Sequence, residues 1–486
     1  MQTSHWWERA GLNEAEAERL RYLLRKREQQ YRAPHGEGQG TAPERLNRRR
    51  YAAEKRRNLL KSFAPPRPRN VPREALIASQ SDSSLLKALH PTRDRDWRPI
   101  MHRTPKGELA VRDFSMIDHP IDTIRTLEGI AQLECTCAQA NVHFDDRFCL
   151  DVGAYLLLEA VWRDMGPFFS GGRIIPSIGR VLEEVGLRRA MGWKPFKRDA
   201  LNDDVFPFIF QRQERPDDAP RSDGIEPPRS AKIASQLGTF IDIALKAING
   251  VRLTNQARRH VKKLASEILD NAETHGTADR RGSYTIAGFI ARRDRAGRDP
   301  QFRFHLALLS LGQTIAEGLV MPPVRIRREM ADYIAQHKRT GLTDENLRTV
   351  YALRDGVTRL EEKLTVLNGK PVGGTGLADI LEFFAGLSLL AEPDDDPKLA
   401  IVSGRTYMRA AKRDLEALYR PIGESQMGEK RTDRELWFNE GNDITRPPDA
   451  DCVFSLPRPV PGTLVTMAFD LNPRLTEALE NADARS

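Results

Sequence analysis

Long apolar runs are missing from this chain: nowhere in its 486 residues is there a stretch of the uninterrupted apolar length that a helix needs to cross a bilayer. That absence excludes a helical membrane protein and leads us to expect a soluble one with no membrane partner. The N-terminus, Met-Gln-Thr-Ser-His-Trp-Trp-Glu, reaches charge without an apolar segment, so it does not read as a secretory signal. Cysteine is scarce as well. Cys135, Cys137, Cys149 and Cys452 fit neither a disulfide framework nor the paired C-x-x-C spacing of a zinc site, and a reducing cytoplasm is the expected compartment. No internal repeat is visible.

What is present is globular composition, 40% hydrophobic and 30% charged, in a chain long enough for two or three domains with their own cores. The formal charge is +8, and it is concentrated. Between Glu44 and Arg73, eleven Lys and Arg stand against two acids, a net +9. Such a window could neutralise nucleic-acid phosphates, but Tyr51 and Phe63 are its only aromatics, so a solvated arm is the preferred reading. Residues 1–75 read as a basic, partly helical or disordered arm, with a Gly-rich break at Gly36 to Gly40 and prolines from Pro65 to Pro72. A second break, residues 215–230, is too rich in proline and charge for a packed element and reads as a linker. This leaves a small α/β domain over 76–214, a larger domain over 231–473 and a tail over 474–486.

Within the smaller domain, strand and helix patterns alternate. A strand around Val142 to Cys149 precedes a helix over Val152 to Met165, whose Ala154, Leu157, Leu158, Val161 and Met165 keep a 3.6 period. The strand Arg173-Ile-Ile-Pro then leads to a helical run through Leu187. The junction Leu150-Asp151-Val152-Gly153-Ala154 resembles the STAS-type fold of anti-sigma-factor antagonists, in which a strand ending in Asp enters a helix. That resemblance implies a protein partner for this domain. Val152, Gly153 and Ala154 stand where those antagonists carry a phosphorylatable hydroxyl.

The larger domain carries the chemistry. Thr254 to Ala272 is the strongest helix pattern, with Ala257, Val261, Leu264, Ala265, Ile268 and Ala272 on one face. Glu267 and Asn271 share its flank one turn apart, where a carboxylate could orient or deprotonate a water and a carboxamide oxygen could ligate Mg²⁺. Taken alone, these two would be the polar rim of an ordinary amphipathic helix. Strands follow over Ser283 to Ala291 and Phe302 to Ser310, separated by a charged turn. Then come a glycine turn at Gly312, a mostly helical insertion over 313–372, and Gly373-Gly374-Thr375-Gly376 opening an apolar helix with Leu377, Ile380, Leu381 and Phe384. Glycines at a helix start let backbone N–H groups reach phosphate, although a lone glycine cluster is more often a turn. Late strands are read over Lys398 to Ser403 and Gly462 to Phe469.

In this order the residues resemble the GHKL superfamily of gyrase, histidine-kinase and MutL-type ATPases. Glu267-Ile-Leu-Asp-Asn-Ala-Glu-Thr-His275 is similar to its N-box, which implies Glu267 as general base, Asn271 as Mg²⁺ ligand and Asp270 beside the nucleotide. Gly373, Gly374, Thr375 and Gly376 match its second glycine motif, Gly312 its first, and Ser310 stands where the family has an adenine-binding Asp. Thr463 matches the Thr that reaches the adenine pocket, and 313–372 takes the place of the lid over the phosphates. The resemblance implies a two-layer α/β sandwich with a mixed sheet and helices on one face, binding ATP with Mg²⁺. The expected function is a regulatory protein that binds ATP and hydrolyses it slowly. Two alternatives stand beside it: a protein kinase of the anti-sigma or histidine-kinase type, and an ATP-gated clamp on nucleic acid, in which ATP closes a homodimer.

Overall fold

The computed structural model describes residues 83–98, 103–104, 106–165, 169–195, 205–213, 229–275, 284–293, 301–338, 341–354, 357, 366–367, 370–371, 381, 397–410, 436–470 and 476–478. The basic window 44–73 and nearly all of the 215–230 linker lie outside them. In chain order the elements are α1 (Ser84–Leu89), α2 (Arg93–Asp96), β1 (Gly107–Val111), α3 (Pro120–Thr136), β2 (Ala140–Phe144), α4 (Val152–Met165), β3 (Phe169–Ile174), α5 (Pro176–Glu184), α6 (Leu187–Ala190) and β4 (Val205–Gln213). There follow α7 (Arg229–Asn249), β5 (Val251–Leu253), α8 (Asn255–His275), β6 (Tyr284–Arg293), β7 (Gln301–Leu311), α9 (Ile315–Gly318), α10 (Val324–His337), α11 (Asp344–Tyr351), the two-residue β8 (Val366–Leu367) and β9 (Lys370–Pro371), β10 (Lys398–Ala410), β11 (Val453–Asp470) and β12 (Thr476–Ala478). No helix among the described residues is long and apolar enough to cross a membrane. The chain is a mixed α/β protein that divides into two compact units.

The first unit comprises 1–110, 129–144 and 164–173. Its sheet has the order β1-β2-β3. β1 and β2 run the same way, Gly107 N donating to Gln139 O. Leu85, Leu86, Leu89, Ile130 and Val142 are among its buried residues. An ion pair joins Arg93 and Glu134, both 1% exposed, and Arg93 also donates to Cys135 Sγ at 3.3 Å. All four cysteines of the chain are free and buried, and burial pushes the Cys135 thiol up to about 12, which leaves it protonated and unreactive at neutral pH.

The second unit comprises 111–128, 145–163 and 174–486 and is built on a five-stranded sheet of order β10-β11-β7-β6-β4. Every neighbouring pair in it is antiparallel, which corrects the expected mixed sheet. The reason lies in the strand order: β6 and β7, consecutive in the chain, pair with each other antiparallel, and β11 enters between β7 and β10 antiparallel to both. β4, whose residues the sequence reading assigned to the smaller domain, is the edge strand of this sheet, where one side of the backbone has no neighbouring strand and a proline such as Pro207 is tolerated.

Strand alternation assigns the two sheet faces. On one face Ile286, Leu308, Val465 and Ile401 form a cross-strand row, in one core with Leu237 and Ile241 of α7, Ala265, Ile268, Leu269 and Ala272 of α8, Met330 of α10 and Leu347 of α11. Each large aliphatic side chain buried there contributes about 1.5–3 kcal/mol. α7 ends at Gly250, whose φ of 65° suits the left-handed residue after a helix. α8 starts where the Thr254 hydroxyl accepts from Ala257 N at 3.1 Å. On the opposite face Ala287, Ala307, Leu309, Leu464, Thr466 and Val402 are buried too. The start of α4 covers them: a Cβ at Gly153 would come within 2.8 Å of Thr466 Cβ, so only glycine lets helix and strand approach this closely. Tyr407 on the same face donates its hydroxyl to Ile117 O at 2.8 Å. Burial on both faces explains why these strands read as near-continuous apolar runs.

Candidate functional site

The register of the sheet brings two of the candidate residues together. Ser310 on β7 stands directly opposite Thr463 on β11, and Thr463 stands opposite Ser403 on β10. Tyr284 on β6 completes the row. Two residues along each strand, about 7 Å, lies the row of Ile286, Leu308, Val465 and Ile401. Since residues two apart share a face, the hydroxyl row points to the same face that α8 covers.

The backbone at this end of the sheet is closely fitted. Gly312 N donates to Pro461 O at 3.1 Å, joining the end of β7 to β11. Gly462 holds a φ of 125°, and a Cβ there would lie 2.0 Å from Ser310 O, so its glycine identity is enforced twice over. Ser403 is fully buried, and its Oγ lies 2.9 Å from Thr463 Oγ1, 3.1 Å from Gly462 O and 2.9 Å from Ile315 N at the start of α9. Beyond Ser403, β10 breaks register at Gly404, whose φ is 61°. Arg405 N there donates to Glu345 Oε1 at 2.6 Å, while Asn346 Nδ2 donates to Thr406 Oγ1 at 3.0 Å. The expected lid is thus tied to the sheet at α9 by Ser403 and at α11 by Glu345 and Asn346. Thr314 and Thr343 cap these two helices, each in a reciprocal capping box.

Glu267, Asp270 and Asn271 lie on α8, as the helical pattern predicts; their side chains fall outside the described residues, as do Gly373, Gly374, Thr375 and Gly376. Leu381, five residues beyond Gly376, is helical and 1% exposed, and it belongs to the core that holds Ala265, Ile268, Leu269 and Ala272 of α8. Leu381 therefore packs on the α8 face.

The reading of the sequence missed Ser403, and the only signal for it was a Ser-Gly pair interrupting an apolar strand. It also missed the destination of Asp151. This carboxylate, 1% exposed, accepts from Met116 N at 2.7 Å, Gly153 N at 2.8 Å and Thr466 Oγ1 at 2.5 Å. Burial raises its carboxyl above the usual value, against the lowering effect of those three donors. Asp151 lies on the sheet face opposite the hydroxyl row and acts as a clamp between α4 and β11.

No protein-family model, curated protein or solved structure matches this chain.

Proposed function

We propose that the second unit contains an ATP-binding domain of the GHKL type, with α7, α8, α10 and α11 as the helical layer of the sandwich. The observation that carries this reading is the shared face. The helix bearing Glu267 and Asn271, the hydroxyl row of Ser310 and Thr463, and Leu381 just beyond Gly376 all meet one core. A nucleotide lying across that face would set its base against the Ser310–Thr463 end and its phosphates toward the start of the helix after Gly376, whose backbone N–H groups favour anions. A hydroxyl at Ser310 in place of a carboxylate offers the base a neutral partner. Asn271 would hold Mg²⁺ through its carboxamide oxygen, and bound Mg²⁺ supplies neutralisation of phosphate charge. Glu267 would take a proton from water, the role that makes slow hydrolysis the expected activity. The biological output is then regulatory, a nucleotide-dependent change in the contacts of the 313–372 segment.

The test is nucleotide binding and turnover by the full-length protein. Magnesium-dependent ATP binding is expected, with slow release of labelled γ-phosphate. Glu267→Ala should retain binding and lose release, whereas Asn271→Ala should lose the magnesium-dependent part of binding. Wild-type protein that binds no ATP with magnesium present, or a Glu267→Ala variant that hydrolyses normally, would overturn the assignment.

A further inference from the structure

The geometry points to Ser403 as the residue that fixes the polarity of Thr463, making Thr463 a hydrogen-bond acceptor that selects a purine bearing a 6-amino group. This rests on the nucleotide-site reading above and follows from counting protons. Ser403 Oγ has three polar neighbours, Ile315 N, Gly462 O and Thr463 Oγ1, and a serine hydroxyl has one proton and two lone pairs. The amide of Ile315 can only donate, so it takes one lone pair. The carbonyl of Gly462 can only accept. At 3.1 Å, in a position with no exposure, a proton between it and Ser403 Oγ turns an otherwise repulsive approach of two oxygens into a hydrogen bond. That places the single Ser403 proton on Gly462 O. The remaining lone pair of Ser403 receives the Thr463 proton, across 2.9 Å.

Thr463 has then spent its only proton inside the sheet. What its half-buried hydroxyl can offer a ligand on the α8 face is lone pairs alone. An acceptor at the base end of the site pairs with an exocyclic amino group and opposes a carbonyl oxygen, so the 6-amino purine is bound and the 6-oxo purine rejected. The device also supplies an acceptor in a row where Ser310 is neutral. Ile315 N, the first helical residue of α9, belongs to the same proton chain, so the lid's first helix helps to hold the hydroxyls in this order.

The experiment measures binding of ATP, purine riboside triphosphate and inosine triphosphate, each with magnesium, to full-length wild type, Thr463→Val and Ser403→Ala. One neutral hydrogen bond corresponds to about a tenfold change in affinity. Wild type should bind ATP about tenfold more tightly than purine riboside triphosphate, which lacks the amino group. Thr463→Val should erase that ratio by weakening ATP alone. Ser403→Ala frees the Thr463 proton to turn outward, so inosine triphosphate should gain about tenfold relative to ATP. The proposal is overturned if Thr463→Val weakens ATP and purine riboside triphosphate equally, because the hydroxyl would then be donating to a ring nitrogen, or if a folded Ser403→Ala keeps the wild-type ratios. Should Ser403→Ala not fold, Thr463→Val still decides between acceptor and donor. Wild type that binds none of the three nucleotides refutes the nucleotide site itself, a result distinct from binding without 6-amino selection.

Discussion

Removing the Asp151 carboxylate should cost the second unit about 2–4 kcal/mol. The figure follows from what Asp151→Ala leaves behind: the N–H groups of Met116 and Gly153 and the hydroxyl of Thr466, all facing a site from which solvent is excluded. An orphaned buried donor costs about 1–3 kcal/mol. The hydroxyl can turn, but the two amides cannot, so they account for roughly 2–6 kcal/mol. Burial raises the carboxyl's pKa, so the ionised group itself carries a desolvation cost that its removal returns, which brings the net down. Asp151→Asn keeps an acceptor oxygen for the amides and should lose about half as much. Calorimetric Tm reads the stability, and hydrogen exchange of the peptides spanning Met116 and Gly153 reads the place, since both amides should lose protection in Asp151→Ala. A Tm at the wild-type value with both amides still protected would refute the claim that Asp151 holds α4 and the 111–118 segment against β11.

The same carboxylate gives a pH dependence of known sign. Its folded pKa lies above the usual 3.8, so the stability it contributes through proton binding is present below 3.8 and is lost as pH rises through the raised value. Wild type should therefore lose stability relative to Asp151→Asn as pH is raised from 3.8, and a Tm difference moving the other way would show that the three donors, not burial, dominate. Thr466→Val should cost about 1–3 kcal/mol, and its effect should not add to that of Asp151→Ala, because both act on one hydrogen bond; additive losses in a double-mutant cycle would separate them. Gly462→Ala should cost about 3 kcal/mol or more and abolish nucleotide binding, since its Cβ would meet Ser310 O at 2.0 Å at a φ of 125°; a variant with wild-type Tm would show that the strand relaxes there without cost.

Much of the fold was legible because its signals are local. The apolar period and the Thr254 cap are contained within α8 itself, and the pattern over Thr254 to Ala272 became Asn255–His275. The helix over Val152 to Met165 was read with its observed bounds, and β6 and β7 differ from the expected strands by a residue or two. β2 ends at Phe144, earlier than the strand read through Cys149. β11 runs far upstream of the strand read from Gly462, through Pro457, Pro459 and Pro461. Prolines argue against a strand locally, but over Val453 to Val460 β11 is paired only with β10, and pairing with β7 begins at Gly462. A strand edge with no neighbour needs no N–H, and that vacancy is a property of the sheet order.

The sequence by itself marked out several helices and strands, among them α4, α8, β6 and β7, and it proposed Ser310, Gly312 and Thr463 as candidates, because periodicity, caps and glycine spacing act over a few residues. Only the tertiary structure decided that the larger sheet is antiparallel, that both its faces are buried, and that Ser403 is the neighbour of Thr463. It likewise decided that Asp151 reaches Thr466, 315 residues away. Which hydroxyl receives a proton, or which carboxylate loses its water, depends on register and on the packing of distant segments against each other, and no local pattern carries that information.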